Sequence, residues 1–210
     1  MRIISGKFKG KNTGGMGAYS PSRLLNDELE KKILNRIIKP TLEGLLKMDI
    51  QYKGFLYAGL MIVNNEPFLI EYNVRMGDPE CQTILPMLRS DLTEIFFACC
   101  NNNLKNTNII WTDKKSLCVV VCSKGYPDKF KKNVEIPDLN KVKQNPDQFI
   151  FHAGTDLINH KVYAIGGRVL NFVYLSNDFG KAKKEIHNSI NQLNWTGGFY
   201  RKDIGHKVIS

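Results

Sequence analysis

Apolar positions recur along the chain with two periods. Between residues 27 and 47, Ile33, Ile37, Ile38, Leu42, Leu45 and Leu46 fall on one face of a helical repeat. That spacing predicts an amphipathic helix capped by Asn26 or Asp27, kinked or split at Pro40, which has no N–H to donate. Residues 80–100 carry Ile84, Leu85, Leu88, Leu92, Ile95 and Phe96 in the same rhythm, a second helix that the run Asn101-Asn102-Asn103 ends. A last helix over 179–193 follows from Ala182, Ile186, Ile190 and Leu193. Residues 55–63 and 68–74 are instead rich in β-formers and are joined by Asn64-Asn65-Glu66-Pro67, which predicts a hairpin. Strands are also expected at 117–123, 149–152, 161–165 and 168–175, while the five glycines of 6–21 read as a loop. The polar stretch running to Lys115 is the best boundary, so the expected organisation is 1–115 followed by a small mixed unit over 116–210, an α+β chain overall.

Composition narrows the class. With 42% hydrophobic and 24% charged residues the 210-residue chain can bury a core. Its longest apolar run, 55–63, falls far short of the ~20 residues of a membrane span. The basic first eleven residues have no apolar stretch behind them, so a cytoplasmic address and no membrane partner are expected. Cys81, Cys99, Cys100, Cys118 and Cys122 form no Cys-x-x-Cys pair and read as reduced, mostly buried thiols. The net charge of +10 asks for an anionic partner, but the lysine pairs are scattered and make no stripe with aromatics. A solvated basic surface fits better than a nucleic-acid face.

Three segments could carry chemistry. In the strand Leu69-Ile70-Glu71-Tyr72-Asn73-Val74-Arg75, alternation aligns Glu71, Asn73 and Arg75 on one face and turns Ile70, Tyr72 and Val74 toward packing. A carboxylate and an amide oxygen side by side are hard ligands suited to Mg²⁺, and the guanidinium is a fork for carboxylate or phosphate. The same alternation also suits the solvent side of an edge strand. Asp78 and Glu80, in the turn that follows, add like charge that calls for a cation or amine. In the second segment, Asn12-Thr13-Gly14-Gly15-Met16, backbone N–H groups could approach an anion, or the glycines could mark a turn. Gly166-Gly167-Arg168 places an arginine at a strand start, again with a plain turn as the alternative. His152 reads as a boundary histidine.

In this order the pieces resemble the glycinamide ribonucleotide synthetase (phosphoribosylamine–glycine ligase) family. The resemblance rests on residues 12–21 (NTGGMGAYSP), 54–61 (GFLYAGLM), 70–82 (IEYNVRMGDPECQ), 90–92 (SDL), 151–155 (FHAGT), 166–170 (GGRVL) and 201–205 (RKDIG). It implies the carboxyl-terminal part of an ATP-grasp domain followed by the family's small terminal domain. The activity it implies uses ATP to phosphorylate the carboxylate of glycine; the amine of 5-phosphoribosylamine then attacks, giving glycinamide ribonucleotide for purine synthesis. Glu71 and Asn73 would hold Mg²⁺ or Mn²⁺, and Arg75 the glycine carboxylate or the transferring phosphoryl group. Asn12, Thr13, Gly14, Gly15 and Met16 would cradle glycine and phosphoribosylamine with Asp78 nearby, and Arg168 would reach the ribose phosphate. Two departures stand out. The family's amino-terminal part, with most of its grip on ATP, has no counterpart in these residues, so a separate amino-terminal half is an expected partner for activity. The stretch 5–11 (SGKFKGK) has Gly6 and Phe8 where the family carries acids. The alternative is a catalytically inactive remnant, which the placement of Met1 inside a domain favours over a split enzyme, or a binding module.

Overall fold

The computed structural model describes residues 11–143 and 145–209. The departure at 5–11, apart from Lys11, therefore lies outside the described residues. In chain order the elements are β1 (Gly17–Ser20), α1 (Asp27–Ile33), a π-helical segment (Leu34–Ile38), α2 (Lys39–Lys47), β2 (Tyr57–Val63), β3 (Glu66–Asn73), α3 (Glu80–Ile84), a 3-10 turn (Leu85–Met87) and α4 (Leu92–Cys100). There follow β4 (Lys115–Ser123), β5 (Val134–Glu135), β6 (Gln148–His152), β7 (Thr155–Ile158), β8 (Lys161–Ala164), β9 (Arg168–Ser176), α5 (Phe179–Leu193) and β10 (Gly198–Phe199).

The chain forms two compact units, each discontinuous in sequence. The first gathers the described residues up to Ser20, Asp78–Met87 and those from Thr112 onward; the second is Pro21–Gly77 with Leu88–Trp111. Compactness thus cuts across the linear division at residue 115, which was drawn from polarity alone.

The first unit is built on an antiparallel sheet ordered β1-β4-β9-β6, with β10 sharing the β1 edge of β4. A separate three-stranded sheet, β5-β8-β7, lies in the same unit. Strands β4 and β9 are apolar on both faces because both faces are covered. Leu117, Val119, Leu170, Phe172 and Tyr174 pack with Ala182, Ile186 and Leu193 of α5. On the other side Cys118, Val120, Cys122 and Val173 pack with Met16. Each Val, Leu, Ile, Phe or Met side chain so sealed from water contributes about 1.5–3 kcal/mol, and Ala182 less. α5 spans the residues its periodicity predicts, with Asp178 accepting from the Lys181 N–H at its start and Asn194 left-handed at its end.

The second unit holds the hairpin and the long helix. Asn26 caps α1 by accepting from the Leu29 N–H, and the π segment sits just ahead of Pro40, where the missing N–H breaks the regular ladder. β2 and β3 pair antiparallel through a turn of only Asn64 and Asn65, both at positive φ. That is the two-residue turn matched to strand twist, so Pro67 belongs to the strand and not to a four-residue loop.

Several expectations need correcting. Residues 80–100 form two helices because Pro86 ends the first stretch and Asp91 caps a new start, accepting from Thr93 and Glu94. β1 lies inside the predicted loop, since its four residues have little β character and owe their conformation to pairing with β4. The thiols are less buried than expected: Cys118 and Cys122 are sealed, Cys81 and Cys99 are partly exposed and Cys100 is exposed, all five being free. Ile70 and Val74 remain 61% and 74% exposed and do not pack as the alternation suggested. Only Tyr72 of that set finds a partner, its hydroxyl meeting Thr41 Oγ1 at 2.6 Å and the Ile37 carbonyl at 3.2 Å.

Candidate active site

In the first unit, four segments distant in sequence meet around Arg168. Its Nη1 donates to the Asp78 carbonyl at 2.7 Å and to the Gly15 carbonyl at 3.3 Å. Its Nη2 faces Asp78 Oδ2 at 2.9 Å. The second carboxylate oxygen of Asp78 accepts from Gln82 Nε2 at 3.1 Å. The Gly14 N–H donates to the Tyr126 hydroxyl at 2.8 Å. The Tyr126 ring lies directly on Gly167, where a Cβ would come within 2.3 Å of Cδ2, so the second glycine of Gly166-Gly167-Arg168 is required by close approach. The first is held by Ser123 Oγ, which donates to the Gly166 carbonyl at 2.8 Å.

The sequence-chosen residues Gly14, Gly15, Asp78 and Arg168 are thus brought together by the structure. Met16 is buried beneath them, 4% exposed, and its carbonyl accepts from the Val120 N–H at 3.0 Å. Asn12 is exposed, free to meet solvent or ligand. Thr13 Oγ1 and Gln82 Oε1 are sealed from solvent without a partner among the described residues. Such groups are costly to leave unpaired, and they mark places where a polar ligand atom or water would be welcome. Tyr126 and Gln82 escaped the sequence argument as functional candidates. The only local signal for Tyr126 is the turn Gly125-Tyr126-Pro127, which says nothing of a contact 112 residues away.

In the second unit, Glu71 and Asn73 share one face of β3, and Asn73 Nδ2 donates to Glu71 Oε1 at 3.3 Å. Glu71 is exposed and Asn73 half-buried. The Glu71 carboxylate makes no ion pair among the described residues. Opposite it in register stands Gly59, over which the Glu71 side chain lies: a Cβ there would come within 3.1 Å of Glu71 Cγ. The donor set, one free carboxylate and one neighbouring amide that can turn its oxygen outward, fits a hard divalent cation that takes its other ligands from phosphate and water. No cluster of three or more His, Cys, Asp or Glu side chains stands among the described residues, so these two would hold such an ion only together with a ligand. Arg75 differs from expectation. β3 ends at Asn73, and Arg75, beyond the strand, is exposed and donates to the Met76 carbonyl at 3.0 Å. His152, expected at a core or boundary position, is exposed, and its Nδ1 meets Thr155 Oγ1 at 2.9 Å.

The mixed helix-and-strand architecture of these units is of the ATP-grasp class. Biotin carboxylase from Campylobacter jejuni shares this fold, with a TM-score of 0.58 at 15% identity over 90% of this chain and 41% of that one. Residues 2–81 match the model for the phosphoribosylglycinamide synthetase ATP-grasp (A) domain and residues 116–207 the model for the C domain of the same synthetase. The chain belongs to the phosphoribosylglycinamide synthetase family. It is 43% identical over 202 residues to phosphoribosylamine–glycine ligase of Caldanaerobacter subterraneus subsp. tengcongensis, covering 94% of this chain and 47% of that protein. The crystal structure of phosphoribosylamine–glycine ligase from Thermotoga maritima superposes with a TM-score of 0.79 at 30% identity, over 97% of this chain and 49% of that one. The chain therefore spans about half the length of the curated relatives it matches. No described helix is long and apolar enough to cross a membrane.

Proposed function

We propose that these residues supply the carboxyl-terminal half of an ATP-dependent ligase that joins glycine to 5-phosphoribosylamine through glycyl phosphate, yielding glycinamide ribonucleotide. The observation that carries the reading is the clasp of Arg168 on Asp78 and Gly15, formed by the segments that match the family. Residues 1–115 would belong to the ATP-grasp part and 116–210 to the terminal domain. Catalysis of this kind is positioning and charge neutralisation. Mg²⁺ or Mn²⁺ held by Glu71 and Asn73 would offset phosphate charge. Arg75, exposed beyond its strand, would grip the glycine carboxylate or the transferring phosphoryl group. Asn12, Thr13 and the Gly14-Gly15-Met16 backbone would cradle the substrates. Arg168, held by Asp78, would turn its remaining N–H groups to the ribose phosphate. The rest of the ATP grip would come from an amino-terminal half, on the same polypeptide or a separate chain. The exposed apolar residues Phe68, Leu69 and Ile70 on the hairpin support further protein covering this unit.

The test is glycine-dependent release of ADP, measured for this chain alone and mixed with the amino-terminal half of a relative. Activity is expected in the mixture, dependent on a divalent cation, and lowered about 100-fold or more in Glu71→Ala, the scale of losing a group that neutralises transition-state charge. Absence of glycine-dependent ADP release at every ratio, with both parts folded by circular dichroism, would overturn the reading.

A further inference from the structure

A cavity of about 420 Å³ opens in the first unit between the end of α5 and the segment that follows it, and no candidate substrate or metal residue lines it. Its walls are of two kinds. Trp195 and Tyr200, both packed on the α5 side of the sheet, bring aromatic side chains to the lining, and Asn191, Asn194 and Lys202 bring polar ones. The left-handed Asn194 ends α5 and turns the chain back. The Trp195 indole then lies against the backbone of Gly198, where a Cβ would come within 2.4 Å of the ring. Its Nε1 donates to the Glu135 carbonyl at 3.0 Å. The Trp195 ring is thereby fixed before any ligand arrives.

Positive charge gathers beside it without a counter-ion. Lys202 makes no ion pair among the described residues, nor does Lys183. His187, one turn beyond Lys183, meets the Tyr200 ring edge-to-face, with centroids 5.2 Å apart. His187 Nε2 is sealed from solvent and has no partner among the described residues. Burial, then Lys183 and Lys202, hold this imidazole below its ordinary pKa, so the unbalanced positive charge lining the cavity is that of Lys202.

We infer that this cavity is a second ligand site, separate from the ligase residues, that takes a nucleoside monophosphate: the base against Trp195 and Tyr200 and the phosphate at Lys202. Rigid aromatic side chains stack any planar base. The Asn191 and Asn194 amides can donate to and accept from a ring edge. A lysine without a counter-ion is a point charge for phosphate. The volume falls in the range of small-molecule sites, roughly 300–1,000 Å³.

Calorimetry with AMP, adenosine and ribose 5-phosphate on the full chain tests this. AMP is expected to bind saturably, with adenosine and ribose 5-phosphate each about tenfold weaker or more, because each keeps only one half of the recognition. Lys202→Gln should weaken AMP about tenfold and leave adenosine unchanged. AMP should also shift the His187 ring resonances, and the Glu71→Ala/Asn73→Ala variant should bind it as the parent does. The proposal is overturned by no saturable AMP binding at millimolar concentrations, by equal binding of AMP and ribose 5-phosphate, by indifference to Lys202→Gln, or by loss of binding in the Glu71/Asn73 variant, which would put the nucleotide on the hairpin.

Discussion

Arg168 shows what a single side chain can organise. Three N–H···O contacts fix its guanidinium to Asp78 and Gly15, and the fork geometry that allows them is denied to lysine. Arg168→Lys should therefore cost about 1–2 kcal/mol, the range for charge-assisted hydrogen bonds at a partly exposed pair, seen as a lower urea midpoint. An unchanged midpoint would mean that the clasp adds nothing to stability. Asn171 is the opposite case: it is 0% exposed on β9, and neither its Oδ1 nor its Nδ2 has a partner among the described residues. Replacing a buried group that lacks partners with an apolar one of similar shape is neutral or stabilising, so Asn171→Leu should raise the midpoint or leave it unmoved. A clear fall would reveal a buried water pairing the amide. Arg168, Asp78 and the glycine pairs were reached through the family resemblance, since by pattern alone a glycine pair beside a charge reads equally as a turn. Tyr126 was not, because its role exists only once distant strands have brought Gly14 and Gly167 to it.

At the scale of elements, long periodic segments read well. α5 and the strands β4 and β9 fall where periodicity put them, since their side chains answer to a packed sheet. The short strands β1, β5, β7 and β10 were missed, because two to four residues hold too little pattern and take their conformation from a neighbour. The segment after β10 shows such tertiary control. There Arg201 Nε donates to Asp203 Oδ1 at 2.8 Å, inside the run 201–205 that the family resemblance singled out. The arginine's hydrogen bond, then its charge, lowers the Asp203 pKa from its ordinary 3.8. A carboxylate depressed in the folded state adds stability at pH values above its unfolded pKa, and that increment is lost as pH falls through the folded value. The parent chain should lose stability more steeply than Asp203→Asn below pH 3.8, compared by urea denaturation at stepped pH. Parallel acid limbs would show that the pair is too solvated to matter.

For the whole molecule, the division of apolar surface between the two units decides stability. Both buried clusters belong to the first unit. In the second unit the buried apolar side chains are Leu29 and Ala98. Among the described residues, all the exposed large apolar side chains except Leu157, Ile158 and Ile165 lie in the second unit, including Met61, Phe68 and Val74 of the hairpin segment and Phe97 of α4. This inequality was not legible in the sequence, where residues 55–63 look as apolar as residues 117–123; periodicity reports which side chains seek cover, not whether cover is present. Local opening energies follow buried contact density. Hydrogen exchange on the isolated chain should therefore find β4 and β9 protected to the level of global unfolding, while amides of β2, β3 and α2 exchange through openings several kcal/mol less costly. Adding the amino-terminal half of a relative should slow exchange in β2 and β3 and leave β4 and β9 as they were, because a partner protects only what it covers. Equal protection in both units of the isolated chain would show that the hairpin is stable uncovered and would remove this support for a covering half.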